Sequence, residues 1–249
     1  MRAAGLEGNV KFKVIAVIST AAALSLGMAG SAAASPLSSK PAPQVTGVRL
    51  QSALLPASAF GSGFTVTQRL NSGSKLASTR VRAKPSSLSC AGFEQYLYVA
   101  GFGNTAGAAD SFNNPNPDFS SYPSVVLGGD QDVVQFKTAS AAASYYNQAQ
   151  ARYKQCVAFT MPDPADNSQL ELTMQALSQT TIGKNKAFQV IQLVDIAALP
   201  ALSFYANTAV VLAGTNVYTI DDVNGTNDPI SASLLGKLIN RVQALYKHH

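Results

Sequence analysis

The chain has 249 residues, of which 47% are hydrophobic and 12% are charged. This composition is typical of a globular protein and excludes a disordered chain. The formal net charge of +5 is too small to indicate a nucleic-acid partner.

Residues 1–34 are predicted to form a secretory signal peptide. Residues 14–30 are apolar, and Ala32 and Ala34 supply the small side chains that a signal peptidase accepts. Three basic residues precede the apolar stretch: Arg2, Lys11 and Lys13. A transmembrane anchor is disfavoured, because 17 residues rich in alanine, serine and glycine are at the short end of spanning length. We therefore expect the signal peptide to be cleaved. The remaining protein then keeps no stable membrane anchor and is secreted to the cell envelope or the extracellular space.

A Pro/Ser-rich linker is predicted at residues 35–44, and residues 45–249 are predicted to form a single domain. Residues 35–89 include several basic residues and no acidic residue. The basic residues are Lys40, Arg49, Arg69, Lys75, Arg80, Arg82 and Lys84. A solvated basic face explains this pattern, and a surface for an anionic envelope polymer or lipid headgroup is the alternative.

Short elements are predicted in the first part of the domain. Residues 46–57 form a short helix that a proline ends, and residues 64–70 alternate as a strand. Residues 86–98 have helical spacing.

The middle of the chain is predicted to contain loops and interrupted strands. Residues 101–123 are rich in glycine, asparagine, aspartate and proline, which indicates mostly loop with space for one short strand. Residues 124–137 form two strand-like runs that are interrupted at Gly128 and Gly129.

The clearest helix follows, opened by Thr138 or Ser140. One apolar stripe runs along it: Ala142, Tyr146, Ala149, Tyr153 and Cys156. Cys156 is therefore predicted to lie on the buried face of this helix.

Four strands and a closing helix are predicted in the last part of the chain. The strands are residues 170–180, 186–196, 203–213 and 216–223, with turns at Gly183-Lys184-Asn185 and Gly214-Thr215. Asp228 is predicted to cap the closing helix, with Pro229 in its first turn. Consecutive strands with short turns predict a mainly antiparallel sheet, and helices on either side of it in sequence predict the α+β class.

The two cysteines, Cys90 and Cys156, are predicted to form a structural disulfide in an oxidising compartment. A redox pair normally has C-x-x-C spacing, and a metal site needs more ligands than two thiols.

Catalytic and metal-binding groups are scarce in this sequence. The only histidines, His248 and His249, follow the closing helix at a chain end, where neither is held as a positioned base. This argues against a Ser-His-Asp or Cys-His site and against a histidine metal site. We therefore expect no enzyme activity, no metal and no cofactor.

Aspartates are the remaining chemical candidates. They are Asp110, Asp118, Asp130, Asp132, Asp163, Asp166, Asp221, Asp222 and Asp228. Turn and cap roles explain most loop aspartates, while a pair of catalytic carboxyls and a calcium loop near Asp221 are alternatives.

Aromatic residues are concentrated in and before the glycine-rich stretch. They are Tyr96, Tyr98, Phe102, Phe112, Phe119 and Tyr122. Core packing and loop anchoring explain them, and a pocket for an apolar or glycan ligand is the alternative.

The order of these features resembles the actinobacterial extracellular sensor-domain family, which includes the C-terminal extracellular domains of PknH-type serine/threonine kinases. The stretches that carry the resemblance are residues 46–57, Gly63-Phe64, Cys90, residues 133–136, residues 154–156 and the final strand, Asn-Gly turn and helix. The resemblance covers residues 45–247.

This resemblance implies a two-layer arrangement, with helices packed on a twisted, mostly antiparallel sheet, and a cleft that binds an unidentified ligand. Kinase-linked members carry two disulfides, and only the pair matching Cys90 and Cys156 is present here. We expect neither a kinase domain nor a membrane anchor, so a signal would pass through a protein partner or a carried ligand.

The sequence therefore predicts a secreted, non-catalytic sensor-like domain that binds an unidentified small-molecule or envelope-derived ligand, with an envelope protein as a further partner. One alternative is an envelope interaction protein that uses its basic N-terminal region on anionic polymers. The other is a secreted carboxylate-dependent hydrolase.

Overall fold

The computed structural model describes residues 43–71, 88–96, 103–162, 169–196 and 201–247. The predicted signal peptide and most of the predicted linker lie outside these ranges. No helix within them is long and apolar enough to cross a membrane.

Eight strands form one antiparallel sheet. Their bounds are β1 Thr65–Asn71, β2 Ala106–Asn113, β3 Val126–Gln135, β4 Ala158–Pro162, β5 Gln169–Ile182, β6 Asn185–Ile196, β7 Phe204–Ala213 and β8 Asn216–Asn224. The order across the sheet is β1-β2-β3-β8-β7-β6-β5-β4. After β3 the chain therefore crosses to the far edge and returns strand by strand, so that β8 pairs with β3.

In the described parts of the chain, four α-helices accompany the sheet. They are α1 Gly47–Ala53, α2 Cys90–Tyr96, α3 Ala139–Gln155 and α4 Ala232–Ala244. Single turns of 3-10 helix occur at Ala57–Ala59 and Phe119–Ser121.

The predicted two-layer α+β class is wrong. Strand outweighs helix in the described residues, which form mostly a single eight-stranded antiparallel sheet with few helices. Two strands have no clear signal in the sequence, although space for one short strand was predicted within residues 101–123. The residues of β2 are all buried and mostly small, so they lack the alternation of a half-buried strand, and the short edge strand β4 was not predicted at all.

Strand β3 is continuous, which corrects the predicted interruption at Gly128 and Gly129. A Cβ atom placed on Gly129 would lie 2.1 Å from the backbone oxygen of Asp221. Glycine is therefore needed here because β3 and β8 approach each other closely, and it does not break the strand.

Helices α1 and α4 cover one face of the sheet, called here the α4 face. Leu50 of α1 and Leu235 of α4 are both 0% exposed. They pack in one apolar cluster with Val133 and Ile220 from the sheet. Full burial of each such side chain stabilises the fold by about 1.5–3 kcal/mol.

Helix α3 covers the opposite face, called here the α3 face. Thr138 caps the helix by accepting a hydrogen bond from the Ala141 N–H at 3.2 Å, as one of the two predicted caps. Tyr146 and Tyr153 pack on Phe188, with ring centroids 5.2 and 5.8 Å apart. The predicted apolar stripe is therefore the face of α3 that packs on the sheet.

The predicted disulfide between Cys90 and Cys156 is present and joins α2 to the end of α3, with 5.5 Å between the Cα atoms. Cys156 is buried, at 1% exposure. It lies just past the helix, however, because α3 ends at Gln155 and Cys156 is its C-cap.

The predicted turns at Gly183 and Gly214 are confirmed, whereas the predicted start of the closing helix is wrong. Gly183 and Gly214 have φ of 60° and 64° at the β5–β6 and β7–β8 turns, a conformation that favours glycine. Helix α4 begins at Ala232 with Ser231 as N-cap, so the predicted cap at Asp228 is wrong. Ile230, which precedes the helix, packs in the core at 5% exposure.

Candidate functional site

The predicted aromatic site residues that the structure describes do not form one cluster. Phe112 is 1% exposed on β2 and stacks on Phe60, with 3.8 Å between ring centroids. Phe119 and Tyr122 instead make edge contacts to Phe204, at 6.4 and 6.1 Å. The side chain of Tyr96, and all of Tyr98 and Phe102, lie outside the described residues.

Tyr122 anchors a loop. Its hydroxyl donates to the Ser203 carbonyl at 3.0 Å and accepts from the Ser203 N–H at 3.3 Å. These bonds fix the segment before β3 against the start of β7. Core packing and loop anchoring, rather than one aromatic pocket, describe Phe112, Phe119 and Tyr122.

A groove of 480 Å³ lies at the end of the sheet that carries the β5–β6 and β7–β8 turns. We call it the end groove. It is lined by Pro43, Ala139, Lys184, Asn185, Ala213, Gly214, Thr215, Asn216, Gln243 and Tyr246. This volume falls within the range of about 300–1,000 Å³ that is typical of small-molecule sites.

The charges around the end groove favour an anion. Lys184 is the one charged residue among those that line it. Ala139 is the first residue of α3, a 17-residue helix with no acidic side chain in its first turn. A helix N-terminus carries partial positive charge, so it adds to the field of the Lys184 ammonium group.

Hydrogen bonds hold the polar wall of the end groove in place. The Tyr246 hydroxyl donates to Asn216 Oδ1 at 3.2 Å and accepts from Gln135 Nε2. Burial raises the pKa of Tyr246, against the effect of these two partners. The hydroxyl therefore stays neutral and serves as a positioned hydrogen-bonding group.

Three carboxyl groups lie on the α3 face of β3 and β8, and we call them the carboxyl cluster. Asp130 lies directly opposite Asp221, and Asp132 opposite Thr219. The Asp130 N–H donates to Asp221 Oδ1 at 2.6 Å. Residues two apart on a strand point to the same face, so Asp132 lies beside this pair.

Burial is the main influence on the pKa values of Asp130 and Asp132 in the carboxyl cluster. It raises the pKa of Asp132 well above the usual value, and the charge of Asp221 raises it further, while Thr219 lowers it. Burial likewise raises the pKa of Asp130, again with a contribution from Asp221, while Ser111 opposes the shift.

Asp222 belongs to a separate network on the α4 face, because it follows Asp221 on the same strand. Its Oδ1 accepts from Asn207 Nδ2 at 3.1 Å and from Asn224 Nδ2 at 2.8 Å. The Thr226 N–H donates to Asn224 Oδ1 at 2.7 Å. Because Asp221 and Asp222 point to opposite faces, they cannot bind one calcium ion as a continuous loop does.

The other aspartates have local roles where they are described. Asp110 accepts from Gln51 Nε2 at 2.7 Å and lies 3.7 Å from Arg69 Nε. Asp118 accepts from the Ser120 N–H at 2.9 Å. Asp163 and Asp166 lie outside the described ranges. Across those ranges, no group of three or more His, Cys, Asp or Glu residues has an arrangement that holds a metal ion.

The sequence did not point to the end groove or to the carboxyl cluster. Lys184 was visible only as part of a turn, and Tyr246 only as part of an apolar helix face. Asp130 and Asp221 are 91 residues apart, and only the pairing of β3 with β8 brings them together. The one local signal was Gly128-Gly129 beside Asp130 and Asp132.

Comparison with solved structures identifies a similar fold. The crystal structure of the extracellular domain of PknH from Mycobacterium tuberculosis matches with a TM-score of 0.55 and 17% sequence identity. The match covers 82% of this chain and 98% of that one. At this identity the likeness shows the fold alone. No protein-family model matches the chain, and no curated protein sequence matches it.

Proposed function

We propose that this protein is a secreted, non-catalytic sensor-like domain that binds a small anionic ligand in the end groove. The observation that carries this proposal is the groove itself, with Lys184 and the α3 N-terminus beside it and no carboxyl group among the described residues of its lining. The fold shared with an extracellular domain supports membership of the sensor-domain family that the sequence resembles.

The lining residues favour binding over catalysis. Lys184 supplies charge, Asn185, Asn216 and Gln243 supply amide groups, and Tyr246 supplies a hydroxyl. No imidazole, thiol or carboxyl group is among the described residues that line the groove, so these residues supply no ordinary general base. The carboxyl cluster and Asp222 lie on the two faces of the sheet, apart from the described lining of the groove.

Thermal unfolding in the presence of small anions tests this proposal. A ligand that binds the folded state raises Tm by mass action. We expect inorganic phosphate, glycerol phosphate or citrate to raise Tm, and uncharged glycerol or glucose to leave it unchanged. Because the attraction is partly electrostatic, the rise should shrink as sodium chloride is added.

Lys184→Gln is the informative variant, since it removes the charge from an exposed turn. Lys237→Gln removes an exposed charge from α4 and serves as the matched control. The proposal expects the anion-dependent rise in Tm to be lost in Lys184→Gln and kept in Lys237→Gln. Equal rises in both variants, or no rise in the wild type with any anion, would contradict it.

A further inference from the structure

We propose that Asp130 and the buried Asp132 form a proton-binding pair that couples the packing of α3 on the sheet to the pH of the surroundings. This device is independent of ligand binding in the end groove. It rests on the geometry of the carboxyl cluster, on the burial of Asp132 and on the groups that face the cluster.

Asp132 is the best-defined member of the pair. It is 0% exposed. Neither of its carboxyl oxygens has a partner among the described residues that meets normal hydrogen-bond distance and angle. Thr219 approaches from the opposite strand and offsets only part of the effect of burial. A buried carboxylate without full hydrogen bonds is much less stable than the neutral acid, so Asp132 holds a proton.

Asp130 adds a second acid at the same place. Like charges directly opposite on neighbouring strands destabilise a sheet, and Asp130 faces Asp221 in this way. The Asp221 carboxyl is already fixed by the Asp130 N–H. The repulsion is therefore relieved when Asp130 takes up the proton.

The described groups that face the cluster do not supply a cation. From β3 and β8 the titratable groups are the three aspartates themselves. Burial raises the pKa of Tyr145, and the charge of Asp132 raises it further, so this tyrosine approaches the cluster from α3. Strand β2 presents Ser111 opposite Asp130, and β7 presents Thr208 opposite Asp221; both are uncharged.

Tyr145 connects the cluster to α3. Its side chain is buried in the same apolar cluster as Tyr146 and Tyr153, which hold the helix on the sheet. Ionisation of Asp132 places a charge beneath this helix in an apolar setting, which favours water entry and a loosened helix. Protonation restores the packed state.

The direction of the pH effect follows from proton binding. Burial raises the pKa of Asp130 and Asp132 in the folded state, so around neutral pH the folded protein holds more protons than the unfolded chain. The stability that these two groups contribute is therefore greatest below the ordinary aspartate pKa of about 4, and it falls as pH rises towards the raised values.

Hydrogen exchange of the α3 backbone amides tests the coupling in the intact protein. After correction for the intrinsic pH dependence of exchange, we expect protection of residues 145–153 to be at least about tenfold lower at pH 8 than at pH 5, a change that corresponds to one proton released over about one pH unit. Asp132→Asn, a neutral mimic of the protonated acid, should clearly reduce the difference, with Asp130 accounting for what remains. Asp195→Asn, which changes an exposed carboxyl on β6, should preserve it.

Equal corrected protection of α3 at both pH values in the wild type would overturn the proposal, and so would an unchanged pH difference in Asp132→Asn. If Asp132→Asn does not fold, infrared spectroscopy of the wild type decides. A carbonyl band from a protonated carboxylic acid at pH 7, lost only at higher pH, supports the proposal. Absence of that band in the folded protein at pH 7 contradicts it.

Discussion

Gln131 on β3 binds the backbone of Leu55 with both halves of its side-chain amide. Its Oε1 accepts from the Leu55 N–H at 2.9 Å, and its Nε2 donates to the Leu55 carbonyl at 2.6 Å. Both residues are buried, at 1% and 4% exposure. This pair fixes the segment after α1 to the centre of the sheet, across 76 positions of sequence.

Gln131→Leu removes both bonds and leaves the Leu55 N–H and carbonyl buried without these partners. An unsatisfied buried polar group costs about 1–3 kcal/mol, so we expect the free energy of unfolding to fall by about 2–5 kcal/mol. Urea unfolding measures the loss. Gln175→Leu, at an exposed position on β5, should change stability by less than about 0.5 kcal/mol, and similar losses in the two variants would refute this role of Gln131.

Gly129→Ala tests the close approach of β3 and β8. The added Cβ would meet the Asp221 backbone oxygen at 2.1 Å, so strand pairing must shift, and we expect a loss of about 3 kcal/mol or more. Gly236→Ala in α4 is the matched control, because nothing lies within 4 Å of its added Cβ. That helix substitution should stabilise the protein by up to about 1 kcal/mol. Thermal unfolding of both variants is the measurement, and tolerance of Gly129→Ala would show that the approach is not required.

The sequence predicted those features that depend on local signals. The turns at Gly183 and Gly214, the cap at Thr138 and the disulfide between Cys90 and Cys156 each have a specific residue that indicates them. Strand β2 lies in the stretch where the sequence predicted mostly loop with space for one short strand. Its position could not be predicted because small residues give it no periodicity, and its burial depends on the strands and helices around it.

The candidate site was less accessible to sequence reasoning because it depends on strand order. The crossing from β3 to the far edge, and the return of β8, bring Asp130 against Asp221. The same path places the β5–β6 turn with Lys184 beside the start of α3 at Ala139. Neither juxtaposition has a signature in a single sequence.

Removal of the disulfide, as Cys90→Ala with Cys156→Ala, should destabilise the protein by about 4 kcal/mol, because the bridge closes a long loop in the unfolded chain. The two cysteines are separated by 66 positions. Urea unfolding with and without a reductant measures the effect. The reductant should lower the stability of the wild type and leave the double variant unchanged; a wild type that is insensitive after verified reduction would contradict the prediction.

Asp222 makes its own contribution to pH dependence on the α4 face. Burial raises its pKa to about 6, with Asn207 opposing the shift and Asp228 adding to it. The folded state then binds the proton more tightly than the unfolded chain, so stability falls between about pH 4 and pH 6 by up to about 3 kcal/mol. Asp222→Asn should flatten this part of the profile, measured by urea unfolding across that range.

Glu171→Gln, an exposed substitution on β5, should retain the full decline of stability with pH. The prediction for Asp222 fails if Asp222→Asn and Glu171→Gln have profiles of the same steepness as the wild type.

Locating the bound anion on the protein is the most direct test of the proposal that the end groove is a ligand-binding site. Backbone amide chemical shifts of the intact protein, titrated with whichever anion raises Tm most, show where that anion binds. We expect saturable shifts concentrated at Ala139, Lys184, Thr215 and Tyr246, with none in Lys184→Gln. Saturable shifts confined to another surface, or unchanged by Lys184→Gln, would show that the end groove is not the binding site.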